Sequence, residues 1–273
     1  MPELPEVEVL GRSLRPRIVG RRIEAVAIHA PALREPLDGD ALRSLAGRRV
    51  VAVRRRAKYL LIDVAGDLTL VVHLGMSGRM TLAPLGAEAE PHEHLSWRLD
   101  GDERLRLVDP RRFGQAFVLQ THDLDNDRHF VHLGIEPLSE GFDGAYLERL
   151  AHGRRGPVKT FLMNAQVVVG VGNIYASESL WRARIHPTRS VARIASSRWI
   201  ALAEAVRAVL ASAIEQGGTT LNDFADGEGN AGYFQVSLAA YDREGEACSG
   251  CEGSIRRIVQ ANRATYYCPG CQR

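Results

Sequence analysis

The chain has 273 residues, room for about two domains of ordinary size. Hydrophobic residues at 45% and charged residues at 25% are values of a globular protein; they exclude wholesale disorder, a collagen-like chain and a disulfide scaffold, and no run reaches the ~18 apolar residues of a membrane span. The net charge of +2 hides an uneven make-up: of 35 basic residues only Lys58 and Lys159 are lysines, and residues 41–62 carry Arg43, Arg48, Arg49, Arg54, Arg55, Arg56 and Lys58 with no acid, a block that suggests a polyanion partner.

Glu3, Glu6 and Glu8 stand where a signal peptide would be positive, so the chain is expected to be cytoplasmic. Val7, Leu10, Leu14 and Ile18 recur at helical spacing and predict an N-terminal helix. After Pro31 and Pro36 the period becomes two. Strands are expected at Val50–Arg56, Tyr59–Val64, Leu68–Leu74, around Leu95–Leu99, around Leu105–Leu107 and at Gln115–Gln120, an antiparallel sandwich. Glu136-Pro137-Leu138-Ser139-Glu140-Gly141 reads as a linker. Short helices are expected at Ala145–Ala151, Val158–Asn164 and Ile174–Trp181, and a longer one at Arg198–Gln216, stopped by Gly217-Gly218. Residues 217–232, with five glycines among polar residues, are expected to be a mobile loop.

The tail holds all four cysteines, as Cys248-x2-Cys251-x16-Cys268-x2-Cys271. Two close pairs, each across a tight turn, fit one structural Zn2+ held by four thiolates; a redox pair would need only one of them. Four protein ligands leave no open position, so the ion stabilises a tail too small to fold on its own core. Arg256, Arg257 and Arg263 lie between the pairs, where a hairpin could offer them to phosphates.

Met1-Pro2-Glu3-Leu4-Pro5-Glu6 would serve as an ordinary helix start, with carboxylates at the positive end of the dipole. It also offers chemistry. Removal of Met1 leaves Pro2 with a free secondary amine, which titrates near ~8 against ~10.4 for lysine. At neutral pH it is the better nucleophile in a lysine-poor chain. Attack on a sugar carbon gives an iminium with no N–H to lose, an electron sink for elimination. Glu3 and Glu6 lie close enough along the helix to act as acid and base.

The segments Pro2-Glu3-Leu4-Pro5-Glu6-Val7-Glu8, His73-Leu74-Gly75-Met76-Ser77-Gly78, Asp109-Pro110-Arg111-Arg112-Phe113-Gly114 and Gly170-Val171-Gly172-Asn173-Ile174-Tyr175-Ala176, together with the cysteine tail, resemble the formamidopyrimidine-DNA glycosylase family. The resemblance runs in order along the whole chain, with Val9, Val171 and Ser177 as departures that remove no reacting group. It implies an α+β multidomain fold: an N-terminal helix plus antiparallel β-sandwich over 2–130, a linker over 131–143, a helix-two-turn-helix domain with a lesion-capping loop over 144–235, and a zinc-finger β-hairpin over 240–273. It implies a monomeric glycosylase and AP lyase acting on double-stranded DNA that contains oxidised purines or abasic sites, through a Pro2 Schiff base and β,δ-elimination. Glu3 would open the sugar ring, Glu6 would orient the base or a water, and Lys58 would sit near the lesion phosphate. His73, Arg112, Asn173 and Arg263 would bind DNA. Met76 and Phe113 would fill the hole left by the flipped base, and Arg111 would meet the orphaned partner. Lys159 matches no catalytic position and is expected on the surface. His92 and His94 form an HxH pair with no third ligand and receive no metal role. The sister family resembling endonuclease VIII, which acts on oxidised pyrimidines, is the nearest alternative; a non-enzymatic zinc-finger DNA binder is another.

Overall fold

A computed structural model describes residues 2–219 and 238–273. They form two compact units: one runs to Val131 and takes back the stretch from Gln216, and the other is His132–Glu215 with the tail to Arg273. No described helix is long and apolar enough to cross a membrane.

The first unit opens with α1 (Leu4–Ile18), whose buried face of Val7, Leu10, Leu14 and Ile18 is the one the spacing predicts. Then follow β1 (Ile23–Ile28), α2 (Gly39–Arg43), β2 (Val50–Arg56), β3 (Tyr59–Val64), β4 (Leu68–His73), β5 (Arg79–Pro84), β6 (Glu93–Leu99), β7 (Glu103–Val108) and β8 (Gln115–Gln120). One antiparallel sheet has the order β2-β3-β4-β8, the other β1-β6-β7-β5. Leu60, Ile62, Leu70 and Val72 from the first sheet share a core with Met80, Trp97, Leu105 and Leu107 from the second and with Leu10 and Leu14 of α1. The sandwich is therefore closed by period-two inner faces plus one helical stripe. Elements β1, β5 and α2 go beyond the sequence reading. The burial of β5 does not alternate cleanly, and α2 is a single turn capped by Asp38.

Register places the functional segments. Tyr59 pairs with His73, and His73 pairs with Gln115. The turn before β3, the loop after β4 and the loop before β8 therefore leave the same end of the first sheet. Helix α1 runs against β2: Arg55 donates to Glu8 at 3.0 Å, Arg15 to the Val53 carbonyl at 3.0 Å, and Gly20 N–H to the Val50 carbonyl at 2.9 Å. The start of α1 thus lies toward that same end.

The basic block of this unit is largely paired inside it. Arg48 donates to the Ser44 and Ala65 carbonyls, Arg54 to Asp63, and Arg55 to Glu8 and the Ala57 carbonyl. These guanidiniums are engaged by partners within the unit, while Lys58 of the same block stands in the β2–β3 turn.

The second unit contains α3 (Gly144–Ala151), α4 (Val158–Leu162), α5 (Asn173–Arg182) and α6 (Ser196–Glu215), then β9 (Arg256–Gln260) and β10 (Arg263–Tyr267). Helix α6 buries Trp199, Leu202, Val206, Leu210 and Ile214. The strands β9 and β10 form an antiparallel hairpin whose turn residues Ala261 and Asn262 both have positive φ, 47° and 59°. This is the turn geometry that matches strand twist. The segment read as a linker is tied down, since Arg207 donates to the Ser139 and Phe142 carbonyls. The expected lesion-capping loop, over most of its length, falls in 220–237 and lies outside the described residues.

Candidate functional site

At the start of α1, Glu3 is the N-cap residue and Glu6 stands at the third helical position. The Glu3 N–H donates to Glu6 Oε2 at 2.7 Å, and Thr219 N–H donates to Glu6 Oε1 at 2.9 Å. Both carboxylates are buried, at 2% exposure each, and Pro2 is buried beside them. Glu6 thus fixes the backbone next to Pro2 with one oxygen and the Thr219 backbone with the other. One turn on, Glu8 is held by Arg12 and Arg55; burial works to raise its carboxyl, but the two guanidiniums outweigh burial and hold it below the usual range.

Lys58 occupies the β2–β3 turn, after Ala57 at φ 55°. His73, at the end of β4, packs its ring 4.9 Å from that of Tyr59 and accepts the Gly75 N–H on Nδ1 at 3.0 Å. Burial, helped by the charges of Lys58, Arg34 and His129, lowers the His73 pKa to about 4. Its imidazole is neutral at physiological pH, with Nδ1 as acceptor and Nε2 carrying the proton.

Met76 and Phe113 are 39% and 44% exposed. The Arg111 guanidinium lies over the Phe113 ring, 4.8 Å from its centroid. The loops that carry them are locked together. Gly75 has φ 62°, and a Cβ there would lie 2.4 Å from the Phe113 carbonyl carbon, so only glycine fits. Asp109, fully buried, accepts the Ser77 hydroxyl at 2.8 Å and the Gly114 N–H at 2.8 Å. The Ser77 oxygen in turn accepts the Arg111 N–H at 3.3 Å, and His94 Nε2 meets the Asp109 carbonyl at 2.9 Å. Asp109 and Ser77 stand inside the Asp109–Gly114 and His73–Gly78 motifs, whose sequence does not show this lock. His94 is a structural partner of the same loop.

In the second unit, Asn173 begins α5 and donates through Nδ2 to the Ala264 carbonyl at 2.9 Å. Lys159 is not on the surface. It is 1% exposed and donates to Asn173 Oδ1 at 2.6 Å, Thr265 Oγ1 at 2.6 Å and the Ala264 carbonyl at 3.3 Å. A buried ammonium persists only with such partners, and this one joins α4, α5 and β10. Arg263 is exposed at the start of β10, and Arg112 is exposed with φ 54°. Glu178 of α5 accepts the N–H groups of Ala239, Ala240 and Tyr241. Burial raises its carboxyl despite those donors.

Sγ atoms of Cys248, Cys251, Cys268 and Cys271 all lie within 4.8 Å of one another, with Cys251–Cys268 at 3.4 Å and Cys248–Cys271 at 3.8 Å. Sulfurs around a tetrahedral ion at ~2.3 Å would be roughly 3.8 Å apart. Trp181 Nε1–H and the Gly250 N–H donate to Cys248 Sγ, and the Gly253 N–H donates to Cys251 Sγ, each at 3.4 Å. Such donors suit thiolates, so the four cysteines are a candidate metal site.

Residues 1–116 match the formamidopyrimidine-DNA glycosylase N-terminal domain, and residues 133–225 match the formamidopyrimidine-DNA glycosylase H2TH domain. Over 273 residues, the whole of both chains, the sequence is 48% identical to a formamidopyrimidine-DNA glycosylase of Xanthomonas campestris pv. campestris. It is 48% identical over 275 residues to that of Methylococcus capsulatus, again covering both chains. Among solved structures, it is similar to wild-type Lactococcus lactis Fpg in complex with DNA containing N7-benzyl-Fapy-dG, with TM-score 0.93 and 33% identity over 100% of both chains. A complex of Lactococcus lactis Fpg with DNA containing an abasic site gives TM-score 0.93 and 33% identity over 99% of both chains.

Proposed function

Because the chain belongs to the formamidopyrimidine-DNA glycosylase family, we propose that its reaction runs through Pro2, with the other candidate residues arranged around that nitrogen. The protein is a DNA glycosylase and AP lyase that removes oxidised purines from double-stranded DNA. In the encoded chain the Pro2 nitrogen is acylated by Met1, so the nucleophile exists only after Met1 is removed. The Pro2 lone pair attacks C1′ of the damaged nucleotide, and the glycosidic bond breaks with its electrons leaving on the base, which takes a proton from water. The Glu3 carboxylate takes the N–H proton from the alkylated Pro2 nitrogen and passes it to the sugar ring oxygen as the C1′–O4′ bond opens, which leaves a C1′ iminium on Pro2. The iminium accepts the electrons released when C2′ loses a proton, expelling the 3′ phosphate; a second proton loss expels the 5′ phosphate. Glu6 positions the backbone that carries Pro2.

Lys58, neutral His73 and exposed Arg112 are set to bind the DNA backbone around the lesion, Met76 and Phe113 to fill the gap in the stack, and Arg111 to donate to the unpaired base. On the second unit, Asn173 and Arg263 would contact phosphates. The four cysteines would hold one Zn2+, which when bound supplies structure only, since no ligand position stays open. The observation that supports the arrangement best is the Tyr59–His73–Gln115 register, with the start of α1 toward the same end of the sheet.

Borohydride trapping on an 8-oxoguanine:cytosine duplex tests this reading. The reduced adduct is expected on Pro2 by peptide mass spectrometry, absent in Pro2→Gly and in a form that keeps Met1. An adduct on Lys58, or strand cutting that survives Pro2→Gly, would overturn it. Glu3→Gln is expected to slow turnover by ~10²–10⁴. Faster release of thymine glycol than of 8-oxoguanine would favour the sister family's substrate range.

A further inference from the structure

A second concavity lies wholly inside the second unit and takes no part in the chemistry above. It has a volume of about 350 Å³ and is lined by His152, Arg154 and Arg155 after α3, by Val191 and Ile194 before α6, and by Trp199 of α6. Its two walls are fixed to each other. Val191 N–H donates to the Gly156 carbonyl at 3.0 Å, Ser190 Oγ to the Arg155 carbonyl at 2.9 Å, and Val158 N–H to the Arg189 carbonyl at 2.8 Å. The cavity is thus built, not a gap between loose loops.

Several arginines of the first unit are paired with carboxylates: Arg17 and Arg21 with Glu103, Arg54 with Asp63, Arg104 with Glu93. Among the described residues, neither the Arg154 nor the Arg155 guanidinium has a carboxylate partner, although they are adjacent and line one cavity with His152. Arg154 is steadied by the Phe161 ring, 5.6 Å from its centroid. The wall's carboxylate, Glu148, already accepts the Ser196 hydroxyl at 2.7 Å. Two unpaired cations at a concave, partly apolar surface focus positive potential where a multivalent anion fits. Guanidiniums match phosphate oxygens two at a time. The size suits one nucleotide-sized group.

We propose that this cleft binds a phosphate ester through Arg154 and Arg155. The proposal stands apart from the Pro2 chemistry. Two sources carry that ligand chemistry, the backbone of a DNA duplex and a free nucleotide, and the test separates them.

Inorganic pyrophosphate is titrated calorimetrically into the full chain and into Arg154→Ala/Arg155→Ala. Both side chains are exposed, so the variant is expected to melt at the wild-type temperature. Pyrophosphate affinity is expected to fall at least tenfold in the variant. In parallel, binding of an undamaged duplex is measured against salt. A fall of about two in the slope of log K against log salt assigns the site to DNA phosphates; an unchanged slope, with weakened pyrophosphate binding, assigns it to a free nucleotide. Equal pyrophosphate affinity in the two proteins, or none in either, overturns the proposal.

Discussion

Asp109 has no accessible surface, and its two carboxylate oxygens accept from Ser77 and Gly114. In Asp109→Asn one of those donors faces an NH2 group instead of a lone pair. The expected loss is about 1–3 kcal/mol by urea unfolding, with slower base excision because the Met76 and Phe113 loops lose their common anchor; wild-type stability and turnover would remove Asp109 from that role. His73 gives a pH signature. Its folded pKa of about 4 is below the ordinary value of 6.5, so the unfolded chain binds the extra proton. Its contribution to stability is complete above pH 6.5 and is lost as pH falls from 6.5 towards 4, by at most about 3 kcal/mol. His73→Gln should flatten that part of the stability curve, and a curve of unchanged steepness would contradict it. Residues of this kind were the least legible in the sequence. A motif says which side chains recur together, but the donors that meet Asp109 come from both loops, and nothing in residues 158–164 marks Lys159 as facing three oxygens rather than water.

Element identity was far more legible than side-chain partnership, because periodicity reports which face is buried. The stripe of α1 and the strands at 50–56, 59–64 and 115–120 coincide with the observed bounds. Strand β1 escaped because a register shift between Ile23 and Ala25 leaves Glu24 and Ala25 both exposed, and exposed Ala27 is itself apolar, so the sequence does not alternate cleanly. The β9–β10 hairpin is a different case. Strands of five residues each bury too little to persist alone; the hairpin is also held by the cysteine cluster, by the Lys159–Asn173 contacts to Ala264 and Thr265, by Gln260 donating to the Pro187 carbonyl and by the packing of Tyr266 and Tyr267. Removing the metal by strong chelation, or the Cys268→Ser substitution, is therefore expected to abolish DNA binding in a gel-shift assay. The sandwich core lies in the other unit, and its far-UV signal should remain. Intact binding after metal loss verified by elemental analysis would detach the cysteines from DNA recognition.

Seen across the whole chain, the near-absence of lysine decides more than composition usually does. After loss of Met1 the protein has three amines: the Pro2 nitrogen, Lys58 and Lys159. Lys159 is buried and fully engaged, which leaves Pro2 and Lys58 as the candidate nucleophiles. At pH 7 roughly a tenth of an ordinary α-amine is uncharged, against under about a thousandth of an ordinary lysine. Reductive methylation of the native, processed protein at that pH should therefore mark Pro2 first and Lys58 more slowly, and spare Lys159, whereas the urea-unfolded chain should be marked at all three. A duplex containing a reduced abasic analogue, which occupies the site without reacting, should protect Pro2 and Lys58 together and leave the slow labelling of Lys159 unchanged. Labelling of Lys159 at the rate of Lys58 in the native protein would contradict the buried network, and failure of the duplex to protect Pro2 would separate the amine from the DNA site.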